Sequence, residues 1–199
     1  MTKIRVGDLA EITGTTKDAI QNYHRDDNVP WYDDFTGEGH RRYGGHEALC
    51  LILNEILRAQ GCSVALAAAF VRDQSRLVAE FLDEVEAGRA RKPRFILGLR
   101  MATEDSFFGS RWESLHHGGS DGSLDSVLDI VRAQALKVGT ELGTRKDRDG
   151  NPQTIERTIA GPWVAMAEIG EAYRLLQLRA RQTGFVVDGR SILKLATEE

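Results

Sequence analysis

The stretch EITGTTKDAIQNYHRDDNVP, Glu11–Pro30, sets the tightest limit on the fold, because it makes two short helices meet across a turn of a few residues. Val6, Leu9, Ala10 and Ile12 fall near helical spacing, and Thr13-Gly14 ends that run as a helix C-terminus does. Thr16 is placed to cap a second helix, in which Ala19, Ile20 and Tyr23 supply an inner apolar side. Asp26 to Pro30 stops it. A short helix, a tight turn and a second helix with a polar outer side predict a helix-turn-helix, whose second helix fits a DNA major groove about 12 Å wide. On that expectation Thr16, Lys17, Gln21, His24 and Arg25 face the DNA. Gln21 suits a bidentate pair with adenine, Lys17 and Arg25 suit phosphates or guanine, and Thr16 adds a hydroxyl while capping its helix.

The next segment, WYDDFTGEGHRRY, places Trp31, Tyr32, Phe35 and Tyr43 around a Gly37-Glu38-Gly39 tip, which predicts a small β-hairpin, or wing, bringing Arg41 and Arg42 near a neighbouring phosphate. A broadly apolar helix follows from His46 to Arg58, Gly61 breaks it, and Ser63 caps another through Phe70. A further helix runs to about Ala87, with Val71, Val78 and Val85 one heptad apart. That seam can pair with a second copy or pack onto the chain's own C-terminal half. Arg89, Arg91, Lys92, Arg94 and Arg100 then form a basic run whose Gly88 and Pro93 mark a junction, read either as a solvated linker or as extra phosphate contacts.

Beyond the junction, RFILGLRM predicts a strand, Leu124 to Val138 and Met166 to Ala180 predict amphipathic helices, and FVVDGRSILKL predicts two short strands around Asp188-Gly189. The expected class is mainly α, α+β in type, with a core of its own in the second half. The Asp147–Glu156 stretch is expected to be a polar β-turn rather than a cation loop, and His116-His117 an exposed loop. Phe95, Phe107, Phe108, Trp112, Trp163 and Tyr173 are expected in a core before an effector pocket.

Charge and cysteine usage restrict the function. The 199 residues carry a net charge of −4, and residues 1 to 90 hold 10 Lys and Arg against 15 Asp and Glu, a net of −5. That excludes a nonspecific basic coat protein and requires any DNA contact to come from a local patch. Cys50 and Cys62 each lie in an apolar segment and are expected as buried thiols, so no metal and no cofactor are expected. P-loop, nucleophile-elbow and dinucleotide signatures are absent from the sequence, and an enzyme is not expected. No apolar run is long enough for a membrane span and no export signal precedes the first helix, so a cytoplasmic protein is expected.

Over roughly residues 3 to 72, these motifs in this order resemble the MerR family of bacterial transcription regulators. RVGDLAEITGTT resembles the family's opening helix and turn, AIQNYHRDDNVP its recognition helix with the Pro that follows, GHRRY its wing signature, and RAQGCS the junction before the last small helix. The resemblance implies that Asn22, Tyr23 and Tyr43 join the DNA-contacting set of Thr16, Lys17, Gln21, His24, Arg25, Arg41 and Arg42. It further implies a homodimer on an inverted repeat in double-stranded DNA, nucleoid-associated when bound, with RNA polymerase or a small effector as candidate further partners. Gln21 stands where the family usually has Arg, Asn22 where it has an aromatic, His24 where it has Glu, and Asp27-Asn28 where it has Gly-Leu. The implied organisation is a winged helix-turn-helix domain over 1–72, a linking or dimerisation helix and basic junction over 73–92, and a C-terminal α+β domain over 93–199. Two rival expectations are an excisionase-like, architectural DNA-bending factor and a protein-docking module, the latter motivated by Asp26, Asp27, Asp33 and Asp34 beside the proposed interface.

Overall fold

Helix α1 (Val6–Thr13) starts where the Asp8 carboxylate accepts from the Arg5 amide at 3.2 Å, and it ends at Gly14, whose left-handed φ of 73° turns the chain. Helix α2 (Lys17–Arg25) opens on Thr16, whose hydroxyl accepts from the Ala19 amide at 3.1 Å, the expected cap. The computed structural model describes residues 3–32, 40–89, 93–103, 111–114, 123, 125, 128–129, 140–146 and 151–195. Three further helices follow in the predicted order: α3 (Gly45–Ala59), α4 (Val64–Asp73), capped by Ser63, and α5 (Ser75–Glu86).

The second half is antiparallel sheet with one helix. Strands β1 (Phe95–Thr103), β2 (Arg111–Ser114), β3 (Thr140–Lys146) and β4 (Pro152–Glu168) form a sheet in the order β2-β1-β4-β3. The long β4 pairs with β3 through its first part and with β1 through its last. Helix α6 (Ile169–Gln182) follows at once, its first amides accepted by the Glu168 carboxylate. The expected hairpin of β5 (Phe185–Asp188) and β6 (Ser191–Lys194) is present, its turn at Gly189-Arg190, one residue later than the expected Asp188-Gly189. Helix and antiparallel sheet together make an α+β chain. Among the described residues no helix is long and apolar enough to cross a membrane. Phe35 and the Gly37-Glu38-Gly39 tip, Phe107 and Phe108, His116-His117, Asp147 and most of the expected Leu124–Val138 helix lie outside the described residues.

The core differs from the expectation. The sequence predicts a separate C-terminal core, whereas the buried residues described form one cluster drawn from both halves, running from Ile4 to Ile192. Helix α6 packs on α1 and α3, α3 also meets β4, and α4 lies against β1 and β2. Of the two partners for the α5 seam, its own chain is the one it meets. Leu77, Val78, Phe81 and Leu82 are buried, Val85 packs against them, and the Phe81 ring meets Tyr173 edge-on at 5.5 Å. Both cysteines are buried thiols, and burial first, then Glu47, pushes the Cys50 thiol well up.

Polar contacts hold the halves together. The Gln60 side-chain amide donates to the Met166 carbonyl at 2.7 Å and accepts from the Met166 amide at 2.8 Å. Gln74 does the same to Leu97, donating at 2.8 Å and accepting at 3.1 Å. Leu97 and Met166 are cross-strand partners, so one glutamine completes each outer edge of the β1–β4 ribbon at its base. The hairpin turn enters a socket made by α3 and α5. The Gly45 amide donates to the Arg190 carbonyl at 2.8 Å, Arg190 pairs with Asp83 at 2.6 Å, and its amide donates to Glu86 at 2.8 Å. A Cβ on Gly45 would stand 2.2 Å from the Gly189 carbonyl oxygen, so any larger residue there pushes the turn out. Arg94, from the basic run, pairs with Glu84 at 2.8 Å, half-buried rather than free in a linker.

Because the core is shared, Phe81→Ala is expected to cost about 3–5 kcal/mol and to lower both halves in one transition. Urea unfolding followed by circular dichroism and by tryptophan fluorescence checks this; separate midpoints would count against it. A second expectation concerns His46 beside the socket. Burial lowers its pKa, Glu47 opposes the shift and Arg190 adds to it. The folded chain therefore binds a proton less readily than the unfolded chain, and stability falls as pH drops through the ordinary imidazole value of about 6.5. His46→Gln should flatten the change in urea midpoint between about pH 7.5 and about pH 5.5.

Candidate nucleic-acid interface

The α1–α2 pair divides its residues by spacing. Ile20 and Tyr23 of α2 are buried, while Lys17, Gln21 and Arg25, four apart, form an exposed row with Asp18 and Asn22 beside it. Thr16 is exposed at the head of this row. Behind α2, Tyr23 is a supporting residue: its hydroxyl donates to Glu55 at 3.1 Å and accepts from Arg58 at 2.9 Å, on α3. Burial first, then the Glu55 carboxylate, raises its pKa, so the phenol stays protonated and keeps both bonds.

The 40–43 segment reaches α2 through a long-range pairing. Ile4 and Tyr43 exchange backbone hydrogen bonds at 2.8 and 3.0 Å, which sets the segment beside the start of α1. His24 then joins it to α2: its Nε2 lies 3.1 Å from the Tyr43 hydroxyl, and its ring stands edge-on to Trp31 at 5.8 Å. Tyr43 and Trp31 are buried, so this aromatic trio fixes position rather than presenting a surface.

Between these elements lies a groove of about 660 Å³, lined by Arg5, Gly7, Asp8, Lys17, Gln21, His24, His40, Arg41 and Tyr43. Among the described residues of its lining, Arg5, Lys17 and Arg41 accompany one carboxylate, that of Asp8, which accepts from the Arg5 amide. The patch is cationic on an acidic chain, and its donors suit anionic or hydrogen-bonding groups. Lys17 reaches it by crossing α1 where there is no side chain, since a Cβ on Gly7 would stand 3.0 Å from the lysine Cε.

The structure therefore brings Lys17, Gln21, His24, Arg41 and Tyr43 to one groove, while Thr16, Asn22, Arg25 and Arg42 are exposed but do not line it. No protein-family model matches the chain, and no curated protein matches it. Arg25 is already paired with Asp26 at 2.9 Å, which withdraws part of its charge. Sequence reasoning missed Arg5, Asp8 and His40, because the pairing of Ile4 with Tyr43 that gathers them leaves no local pattern. Among the described residues no His, Cys, Asp or Glu group has metal-binding geometry.

Tyr23→Phe removes the hydroxyl shared by Arg58 and Glu55 but leaves their 2.9 Å ion pair. It is expected to cost about 1 kcal/mol, read as a lower urea midpoint, with the circular dichroism spectrum unchanged.

Proposed function

We propose that the chain is a sequence-specific DNA-binding transcriptional regulator of MerR type, with residues 1–72 as a winged helix-turn-helix. It binds double-stranded DNA as a homodimer on an inverted repeat, in the bacterial cytoplasm, and is nucleoid-associated when bound. The observation that carries this reading is the cationic groove, where Arg5, Lys17, Gln21 and Arg41 converge beside the exposed row of α2. Lys17 and Arg41 suit phosphates on either side of a major groove that α2 enters, and Gln21 suits a base edge. Since the apolar side of α5 is used within the chain, two copies meet through another surface. Residues 93–199 support the reading unit and are the place for a partner such as polymerase or a small effector.

The protein-docking alternative draws on Asp26 and Asp27, exposed just past α2, while Asp33 and Asp34 lie outside the described residues. Arg25 answers Asp26, lowering its carboxyl pKa, so that charge is partly neutralised before any phosphate approaches.

Selection of genomic DNA fragments by the purified full-length protein, with the enriched site retested at several salt concentrations, separates the two. The expected result is an inverted repeat whose log affinity falls steeply with log salt. Replacing Arg41 and Arg42 together by Ala should lower that slope by about 2 and weaken all sequences alike. Gln21→Ala should instead cost about 1–3 kcal/mol at particular bases. Absence of enrichment at low salt, with capture of a stoichiometric protein partner, would overturn the DNA reading.

A further inference from the structure

Thr13 ends α1, and its carbonyl is among the last-turn acceptors that the helix's own amides leave unfilled. The Thr13 hydroxyl donates back to the Leu9 carbonyl at 2.8 Å, but the Thr13 carbonyl accepts from Arg179 Nη1 at 2.6 Å, across 166 residues of sequence. The guanidinium lies against the turn itself, 3.3 Å from where a Cβ on Gly14 would stand. Its partner is a backbone carbonyl at the negative end of α1, where a charged donor gains from both the hydrogen bond and the helix dipole. The turn's own bond, from the Gly14 amide to the Glu11 carbonyl, is long at 3.4 Å and correspondingly weak.

The helix that carries Arg179 is anchored in the core. The residue stands in the last turn of α6, whose Ala172, Tyr173, Leu176 and Ala180 are buried and which packs on both α1 and α3. We propose that Arg179 is a positioning residue for DNA recognition: it pins the α1–α2 turn and so fixes the angle at which α2 presents Lys17 and Gln21 beside Arg41. This inference rests on the DNA-binding reading. Leverage gives the contact its effect. A rotation of about 10° at the turn moves the far end of a nine-residue helix, about 13 Å long, by about 2 Å. That displacement exceeds the whole spread of hydrogen-bond lengths, so base contacts along α2 do not survive it.

The test uses the full chain and two variants, Arg179→Ala and Arg179→Lys. Hydrogen exchange in peptides covering residues 12–20 is expected to accelerate about tenfold in Arg179→Ala, with peptides over residues 46–58 unchanged, and the lysine variant restoring most of the protection. On the DNA selected by the parent, affinity should fall about tenfold while the salt slope stays the same, because the guanidinium grips a carbonyl and not a phosphate. Unchanged exchange over 12–20, or equal acceleration over 46–58, overturns the inference, as does a salt slope lowered by about 1. A parent that selects no DNA removes the functional reading, while the exchange experiment still decides whether Arg179 holds the turn.

Discussion

From Ala48 to Asn54, seven consecutive residues of α3 are buried on every side of the helix, and the rest of the structure follows from covering them. A surface helix needs one apolar stripe; one that is apolar all round must be enclosed. Helix α1 packs on it from the N-terminal half, α4 and α5 follow along the chain, and α6 and β4 close it from the C-terminal half. Neither half alone encloses α3. The groove sits at one rim of this arrangement, with α2 braced on α3 through the Tyr23–Glu55–Arg58 network.

Much of the element order was legible, because helix spacing, the Thr16 and Ser63 caps and the Asp-Gly signal beside the last turn are local. The row Lys17, Gln21 and Arg25 was legible for the same reason. What stayed hidden depends on distant residues. Nothing near Tyr43 announces that its backbone pairs with Ile4, so neither its burial nor the arrival of Arg5, Asp8 and His40 could be read. An apolar stripe states that a helix is covered but not by what, which is why the seam of α5 left two partners open and the shared core was missed. Gln60 and Gln74 look like surface residues until the strands they bond are in place.

Net charge turned out to be a poor guide to the groove. Many of the acids that make the chain negative are committed to internal work: Asp8 and Glu47 accept from amides at helix starts, and Glu55, Asp83 and Glu84 hold Arg58, Arg190 and Arg94. These contacts leave the sum unchanged but place much of the negative charge beside its own partners. Local sign is set by which charges the fold places together, and among the described residues Arg5, Lys17 and Arg41 share one depression with the capped Asp8 carboxylate.

The two glutamines on the β1–β4 ribbon have a further consequence. Each supplies one donor and one acceptor at the spacing of a peptide group, so the ribbon meets at Leu97 and Met166 the partner a neighbouring strand would offer. Exposed strand edges invite other chains to add on, and a single-residue occupant gives the next chain nothing to continue from. At its base the sheet therefore closes against self-templating growth with two side chains, both from residues that cap helices of the core.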